Sequence, residues 1–185
     1  MNILIKSRRL SSKHFHSPTY KDAHIIDLTS KAESPWVKFS PFYPIEDIPI
    51  PFSNGKTGAS VEGIWQGLKV FETTGVDLSK LDNRTMKGLK RTVRKYGTVL
   101  GHQKGLDNTE LLDYITARQQ LYAPMYKWVL DNKLQEELDE IRQLSTKFGT
   151  IVLLDYETNG DILDPSRPLS HAYLVKHYLE GNYPC

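Results

Sequence analysis

Apolar residues recur at the spacing of an α-helix in several parts of the chain. The stretch SVEGIWQGLKVFE (60–72) is the clearest case, because its apolar residues fall at the i, i+3 and i+4 positions that line one helix face. Ser60 stands where a helix N-cap is expected. The same kind of spacing predicts further helical segments over Asp77–Lys80, Asp82–Tyr96, Asn108–Trp128, Leu134–Lys147 and Ser170–Leu179.

Short apolar runs bounded by turn residues predict a few β-strands. These are Met1–Lys6, His24–Leu28 and Thr150–Leu154, of which the last is the clearest buried strand. The helical segments do not alternate with strands in a βαβ series. The pattern therefore predicts an α+β fold, a helix-dominated single domain with a few short strands. We expect residues 1–33 to form an N-terminal arm or strand region packed on a domain of residues 34–185.

Residues 34–52 (SPWVKFSPFYPIEDIPIPF) interleave five prolines with aromatic residues. Proline excludes a regular helix interior and removes hydrogen-bond donors from a β-ladder. We therefore expect a stiff, non-helical segment that contains edge-strand pieces. Two interpretations stay open: a loop that its aromatic side chains pin to the core, and a rigid wall of a binding pocket.

The composition is that of an ordinary globular protein, with 39% hydrophobic and 25% charged residues among 185. No apolar run approaches the roughly 20 residues that span a bilayer, and the run Ile3–Ile5 is too short for a signal-peptide core. The one cysteine, Cys185, has no partner for an internal disulfide, and we interpret it as a frayed end rather than a nucleophile. We expect a cytoplasmic protein without membrane contact, and its oligomeric state stays open.

Positive charge is concentrated in one stretch of a nearly neutral chain. The formal net charge is +2, yet residues 84–104 carry seven lysine and arginine residues, one histidine (His102) and no acid. Most of these cations fall opposite the apolar stripe of the predicted helix Asp82–Tyr96. Three interpretations of this basic helix 84–95 stay open: pyrophosphate binding, contact with a nucleic-acid backbone, and a solvated helix face.

Glu62, Gln66 and Lys69 share one edge of the helix predicted after Ser60. They stand at positions i, i+4 and i+7, so their side chains lie on the same face. One interpretation is the edge of a pocket, and the other is a solvated ladder in which Glu62 stabilises the helix N-terminus. Asp155, directly after the strand Thr150–Leu154, is a second candidate acid, although aspartate is equally ordinary at a turn.

Several classes of site lack their signatures in the sequence. Its six histidines and one cysteine show no zinc-ligand spacing. There is no GxGxxG or Walker motif of a nucleotide-binding fold, and no GxSxG motif of a serine hydrolase. We therefore expect neither a metal nor a cofactor.

Two stretches, in this order, carry a resemblance to the NADAR family. WVKFSPFYPI (36–45) resembles the opening motif of that family, and SVEGIWQGLKVF (60–71) resembles its second motif. The matching positions are Ser40, Phe42, Tyr43, Pro44, Ser60, Val61, Glu62, Trp65, Gln66 and Lys69. The chain departs from the motifs at Pro41, where the family usually has asparagine, and at Gly63, where histidine is common.

The resemblance implies an N-glycosidase-like hydrolase that cleaves a ribosyl–base bond in an ADP-ribosyl or phosphoribosyl compound, with ADP-ribosylated guanine in nucleic acid among the substrates. Such a reaction builds positive charge on the ribose, which a nearby carboxylate stabilises. Taken with the patterns above, the expected catalytic residues are Glu62 and Asp155. The expected substrate-binding residues are Ser40, Phe42, Tyr43, Trp65, Gln66, Lys69, Arg91 and Arg94.

Two other functions stay open. A non-catalytic module would bind a nucleotide or a nucleic acid through the basic helix 84–95. A structural or host-interaction protein would dock a partner on the same helix. The expected partners are thus a small-molecule nucleotide or ADP-ribosylated compound, with nucleic acid as the alternative.

Overall fold

The computed structural model describes residues 1–184; Cys185, predicted above to be a frayed end, lies outside the described residues. The strands are short and occur in both halves of the chain. They are β1 (Asn2–Ser7), β2 (Ala23–Asp27), β3 (Ile48–Pro49), β4 (Thr57–Gly58), β5 (Lys69–Phe71), β6 (Val99–Gln103), β7 (Leu111–Leu112) and β8 (Thr150–Asp155).

The helices range from single turns to fourteen residues. They are α1 (Val61–Leu68), α2 (Val93–Tyr96), α3 (Tyr114–Ala117), α4 (Ala123–Lys133), α5 (Gln135–Phe148) and α6 (His171–Glu180). A π-helical turn, Arg118–Tyr122, joins α3 to α4, and short 3-10 turns occur at Ser12–His16, Pro18–Tyr20, Trp36–Phe39 and Leu78–Lys80. With about 39% helix and 18% strand, the fold is mixed α+β and helix-dominated, as predicted.

Residues 1–40 and 134–184 form one compact unit, which contains a parallel sheet in the order β1–β8–β2. The central strand β8 is buried from Ile151 onward, as expected of a parallel strand covered on both faces. The predicted strands near Ile3, Ile26 and Val152 are thereby confirmed. The predicted N-terminal region 1–33 lies within this unit, where β1 and β2 pair with β8.

Two helices of this unit, α5 and α6, pack against β8. Gly149, with φ of 72°, ends α5 and leads directly into the strand. Ser170 caps α6 by accepting a hydrogen bond from the Tyr173 amide at 3.4 Å. The predictions for Leu134–Lys147 and Ser170–Leu179 are confirmed, since both depended on local stop and cap residues.

Residues 41–133 form the second compact unit. Its sheets are antiparallel: β3 pairs with β4, and β5, β6 and β7 follow one another in that order. Helix α1 packs against β4 and β6, and its Ile64 and Leu68 side chains are fully buried. In the β5–β6 pair, Lys69 stands directly opposite His102, so the end of α1 and the strand β6 meet.

The predicted helix Asp82–Tyr96 is wrong except for its last turn, α2. Met86 and Gly88 have φ of 59° and 65°, a left-handed conformation that interrupts a right-handed helix. Residues 84–92 are irregular, so the basic helix 84–95 does not exist as one element. The apolar spacing in this segment reflects anchoring of single side chains, since Leu89 is 1% exposed and Val93 is 62% exposed.

Two other predictions are corrected or refined. The predicted helix Asn108–Trp128 includes β7 at its start, passes through the π-helical turn and continues to Lys133. Residues 34–52 contain no α-helix; the one strand in this segment is β3, which matches the expected edge-strand piece. Within residues 1–184, every helix is too short or too polar to span a bilayer.

Candidate functional site

The candidate site is built on α1, a helix in which every residue is buried, including its polar ones. The Ser60 hydroxyl caps this helix by accepting from the Gly63 amide at 3.0 Å. Ser60 is thus the N-cap of α1, as predicted, and Glu62 follows in its first turn. Burial of a carboxylate and an amide along a short helix costs free energy unless both are hydrogen-bonded.

Glu62 and Gln66 are hydrogen-bonded to each other, which offsets the cost of burying both side chains. The Gln66 amide donates through Nε2 to Glu62 Oε1 at 3.0 Å, and its Oε1 accepts from the Arg91 backbone N–H at 2.9 Å. These two bonds fix which way the Gln66 amide faces. The Glu62 carboxylate, whose residue is only 8% exposed, is thus held in one orientation by a neighbour that is itself anchored.

Lys69 follows at the end of the same helix and is half-buried. Burial lowers the pKa of its ammonium group below the ordinary 10.5, the Glu62 charge partly counteracts this effect, and the charges of Arg91 and Lys90 add to it. Glu62 and Lys69 therefore influence one another electrostatically. Glu62 and Gln66 lie on α1 as predicted, whereas Lys69 is the residue directly after this helix and begins β5.

His102 is the residue that the sequence analysis missed, since it was counted only within the basic stretch. It lies on β6 opposite Lys69, and its ring stacks on Trp65 with centroids 3.7 Å apart and planes 28° apart. Burial, together with the nearby Lys69 charge, lowers the pKa of His102 to about 3. The imidazole is consequently neutral at physiological pH.

Aromatic side chains surround Trp65, which is 7% exposed. Tyr122 meets it edge-on at 5.5 Å and Tyr114 lies tilted at 6.1 Å between centroids. Tyr114 in turn accepts from Arg118 Nη2 at 2.8 Å, and the buried Arg118 guanidinium lies 4.3 Å from the Tyr114 ring. Arg118 opens the π-helical turn, a feature that is frequent at functional sites and carries no recognisable sequence signal.

The predicted binding residues of the stretch 36–45 do not all belong to the same compact unit. Ser40 is buried in the first unit, where its amide donates to Val37 O at 3.0 Å. Phe42 and Tyr43 are half-buried in the second unit. Lys90 lies 5.6 Å from the Phe42 ring. Phe42 and Tyr43 thus retain partly accessible ring surface, as the stacking expectation requires.

Arg91, predicted to bind substrate, is 5% exposed. Its guanidinium donates to the main-chain oxygens of Gln66 and Lys69 and, at 2.7 Å, to that of Gly75. These contacts favour a supporting role at the C-terminal end of α1, where unsatisfied carbonyls attract a cation. Arg94, by contrast, is exposed on α2 and remains a candidate for phosphate.

Asp155, the second predicted catalytic acid, belongs to the first unit. Its Oδ2 accepts from Ser170 Oγ at 2.7 Å and lies 3.0 Å from His171 Nδ1. Burial alone would raise the pKa of Asp155, but the His171 charge and the hydrogen bonds outweigh it and lower this pKa to about 2. A carboxylate so fully occupied by donors favours a structural role.

Among residues 1–184, no three or more histidine, cysteine, aspartate or glutamate side chains are grouped so that they could hold a metal ion.

These observations define the class of protein: a mixed α+β fold in which helix α1 carries a buried carboxylate and a buried amide, and is followed by a half-buried lysine that stands opposite a buried histidine on the neighbouring strand. The chain belongs to the Family of unknown function (DUF6939), whose family model matches residues 7–175. No curated protein matches the chain.

Proposed function

We propose that the protein is an N-glycosidase-like hydrolase that cleaves a ribosyl–base bond in an ADP-ribosyl or phosphoribosyl compound. The resemblance of residues 36–45 and 60–71 to the NADAR motifs supplies the reaction class. The proposal includes ADP-ribosylated guanine in nucleic acid as a substrate. A cytoplasmic setting remains part of it, because a chain with one cysteine forms no internal disulfide.

One observation carries the proposal: the Glu62 carboxylate is buried and held by Gln66 Nε2 at 3.0 Å. A surface ladder, the alternative interpretation of this edge, would leave the carboxylate in water. A buried and oriented carboxylate is what stabilisation of a positively charged ribose requires, because the interaction strengthens as water is excluded.

The proposed reaction consumes one water molecule. The bond between ribose C1 and the base nitrogen breaks with its electron pair leaving on the base. The hydroxyl of water attaches to C1, and the remaining proton goes to the base nitrogen. Glu62 stabilises the charge that develops on the ribose, takes this proton from the attacking water and passes it on to the departing base. Lys69 and Arg94 supply positive charge for the phosphates.

The test uses ADP-ribosylated guanosine and follows the release of ADP-ribose by chromatography. Wild-type protein is expected to release it, and Glu62→Gln, which keeps the size and hydrogen-bonding capacity of the side chain, should be slower by about 10²–10⁴-fold. Glu110→Gln is the matched control, since Glu110 is an exposed glutamate of the same unit. Equal release by wild type and Glu62→Gln would exclude Glu62 as the catalytic acid.

A second candidate function, nucleic-acid binding without catalysis, is favoured by the exposed cations of residues 84–95. Lys87, Lys90, Arg94 and Lys95 are all exposed, although they are not presented by one helix. Backbone contacts by such cations make affinity fall steeply with salt. Binding of a single-stranded oligonucleotide that weakens with salt, is lost in Lys90→Glu/Arg94→Glu, and is accompanied by no ADP-ribose release would favour this function.

A further inference from the structure

His102 is unusual because both nitrogens of its buried ring lack a hydrogen-bond partner. Among residues 1–184, only these two atoms and Arg91 Nε are buried side-chain nitrogens or oxygens without such a partner. The residue is 1% exposed. Buried polar groups in native proteins are nearly always hydrogen-bonded, so an unpaired one indicates a role that offsets its cost.

The position of the ring is fixed on two sides. The backbone pairing of β5 with β6 puts His102 opposite Lys69, and the stack on Trp65 at 3.7 Å determines the plane of the ring. Trp65 and Lys69 stand on the same short stretch of chain as Glu62. The unpaired imidazole of His102 is therefore part of the candidate site formed by Glu62, Gln66 and Lys69, rather than of a separate part of the core.

The protonation state of His102 limits which part of a substrate its ring can bind. With a pKa of about 3, the imidazole is uncharged across the neutral range, so it carries one N–H donor and one acceptor nitrogen. A phosphate would be held better by Lys69, which carries charge. A nucleobase, flat and with donors and acceptors on its edge, matches both the neutral imidazole and the aromatic surroundings of Trp65.

We propose that His102 recognises the nucleobase of the substrate, donating one ring N–H to an acceptor on the base. The inference rests on the proposed glycosidase function and adds to it the residue, His102, that recognises the leaving base. The same hydrogen bond stabilises the negative charge that the base acquires as its bond to ribose C1 breaks. Because His102 is 1% exposed, a base reaches the ring edge only if its surroundings shift; Tyr114, at 37%, is the most exposed of the aromatic side chains around Trp65.

The test compares two ligands that differ by the guanosine that carries the base: ADP-ribosylated guanosine and ADP-ribose. Affinities are measured by calorimetry in a Glu62→Gln background, so that turnover is slow during the measurement. His102→Phe keeps a flat ring on Trp65 and removes both nitrogens. It should weaken binding of ADP-ribosylated guanosine by about 10-fold or more and leave ADP-ribose within about 2-fold. His16→Phe, at an exposed histidine, is the matched control and should change neither affinity.

Stability is measured on the same variants. His102→Phe should melt at or above the temperature of its parent, because it removes unpaired buried polar atoms while preserving the ring. His102→Asn, which restores a donor, should recover part of the lost affinity. An equal loss for both ligands, or no loss for either, would overturn the proposal. If His102→Phe does not fold, the same comparison on His102→Asn against His102→Leu decides between these outcomes.

The two proposals can fail separately. Wild-type protein that prefers ADP-ribosylated guanosine over ADP-ribose through His102, yet releases no ADP-ribose, would leave base recognition standing and remove the hydrolase. Wild-type protein that releases ADP-ribose, with a preference unchanged by His102→Phe, would do the reverse. Wild-type protein that binds neither compound would overturn both.

Discussion

The ring of His171 lies between two acceptors, with Nδ1 3.0 Å from Asp155 Oδ2 and Nε2 2.8 Å from the carbonyl oxygen of Leu28. A carboxylate and a carbonyl both accept, so both ring nitrogens carry a proton and His171 is an imidazolium. Burial alone would lower the pKa of His171, but the Asp155 charge and the two hydrogen bonds outweigh it and raise this pKa above the ordinary 6.5. The first unit therefore contains a buried ion pair.

The first prediction is that thermal stability falls at both ends of the pH scale because of this pair. Asp155, with its pKa lowered from 3.8 to about 2, stabilises the fold above its unfolded pKa, and this contribution is lost as pH falls towards 2. His171, with a raised pKa, stabilises the fold below pH 6.5, and this contribution is lost as pH rises through the folded pKa. Calorimetric melting temperatures measured across pH should therefore be highest between these limits.

The variant Asp155→Asn tests how much the ion pair of Asp155 and His171 contributes to stability. Removing one partner of a buried ion pair leaves the other uncompensated, so the free energy of unfolding should fall by roughly 3 kcal/mol, and the pH dependence should flatten. Glu180→Gln on α6 is the matched control, because its ion pair with Lys176 is long, at 3.9 Å, and partly exposed; it should cost less than about 1 kcal/mol. A similar pH profile in Asp155→Asn and wild type would contradict the assignment.

The second prediction concerns Gly63, the third residue of α1. A Cβ at this position would lie 2.6 Å from Lys80 O and 2.8 Å from Ser60 Oγ. The close approach of a backbone carbonyl excludes any side chain, so Gly63→Ala should lower the free energy of unfolding by about 1–3 kcal/mol. Chemical denaturation measures it. Gly75→Ala, where a Cβ meets nothing within 4 Å, should be close to neutral; equal effects of the two substitutions would refute the steric explanation.

The third prediction assigns Arg91 to stability. Arg91→Met leaves the carbonyls of Gln66, Lys69 and Gly75 without their charged donor, and a hydrogen bond from a charged group contributes about 1.5–3 kcal/mol. We expect a loss of at least about 3 kcal/mol in denaturant unfolding. The exposed Arg94, changed to methionine, should lose less than about 0.5 kcal/mol. If Arg91→Met unfolds like wild type, the guanidinium is free for a ligand after all.

Local signals made much of the fold predictable. The helix after Ser60 was found because a cap residue and an apolar stripe agree within a few residues, and strand β8 was found because its run is continuous and bounded by Gly149. The helix predicted over Asp82–Tyr96 failed because its apolar spacing was helical while Met86 and Gly88 adopt left-handed backbone angles. Periodicity alone does not detect such an interruption.

The sequence predicted the residues of the site that are close together in the chain, but not those that distant segments contribute. Glu62 and Gln66 are four residues apart on α1, which spacing reveals, and Lys69 follows directly after this helix. His102 joins them only through the pairing of β5 with β6, two short strands far apart in sequence that carry no strong alternating pattern. Arg118 likewise joins the aromatic group through the π-helical turn, and Tyr114 joins it through the short helix α3. Contacts that depend on non-local pairing are those that sequence periodicity does not reach.

The last prediction concerns the pH dependence of the proposed reaction. Lys69 binds phosphate only while protonated, and burial lowers its pKa below 10.5. Values of kcat/KM should therefore decline as pH rises through this lowered pKa, earlier than an exposed lysine would allow. Lys69→Arg keeps the charge, because the guanidinium does not deprotonate in this range. The alkaline decline should disappear in Lys69→Arg, even if its activity at neutral pH is reduced by the different shape of the head group.

Rates of ADP-ribose release from ADP-ribosylated guanosine across the alkaline range measure this effect. Lys104→Arg is the control, since Lys104 lies in the same unit and pairs with Glu110 at 3.0 Å; it should keep the wild-type decline. A decline that persists unchanged in Lys69→Arg would assign the titration to another group and remove Lys69 from phosphate binding. Because Glu62 raises the Lys69 pKa, the Glu62→Gln variant should shift the decline in its residual activity to lower pH, a result that would tie Glu62 and Lys69 to one site.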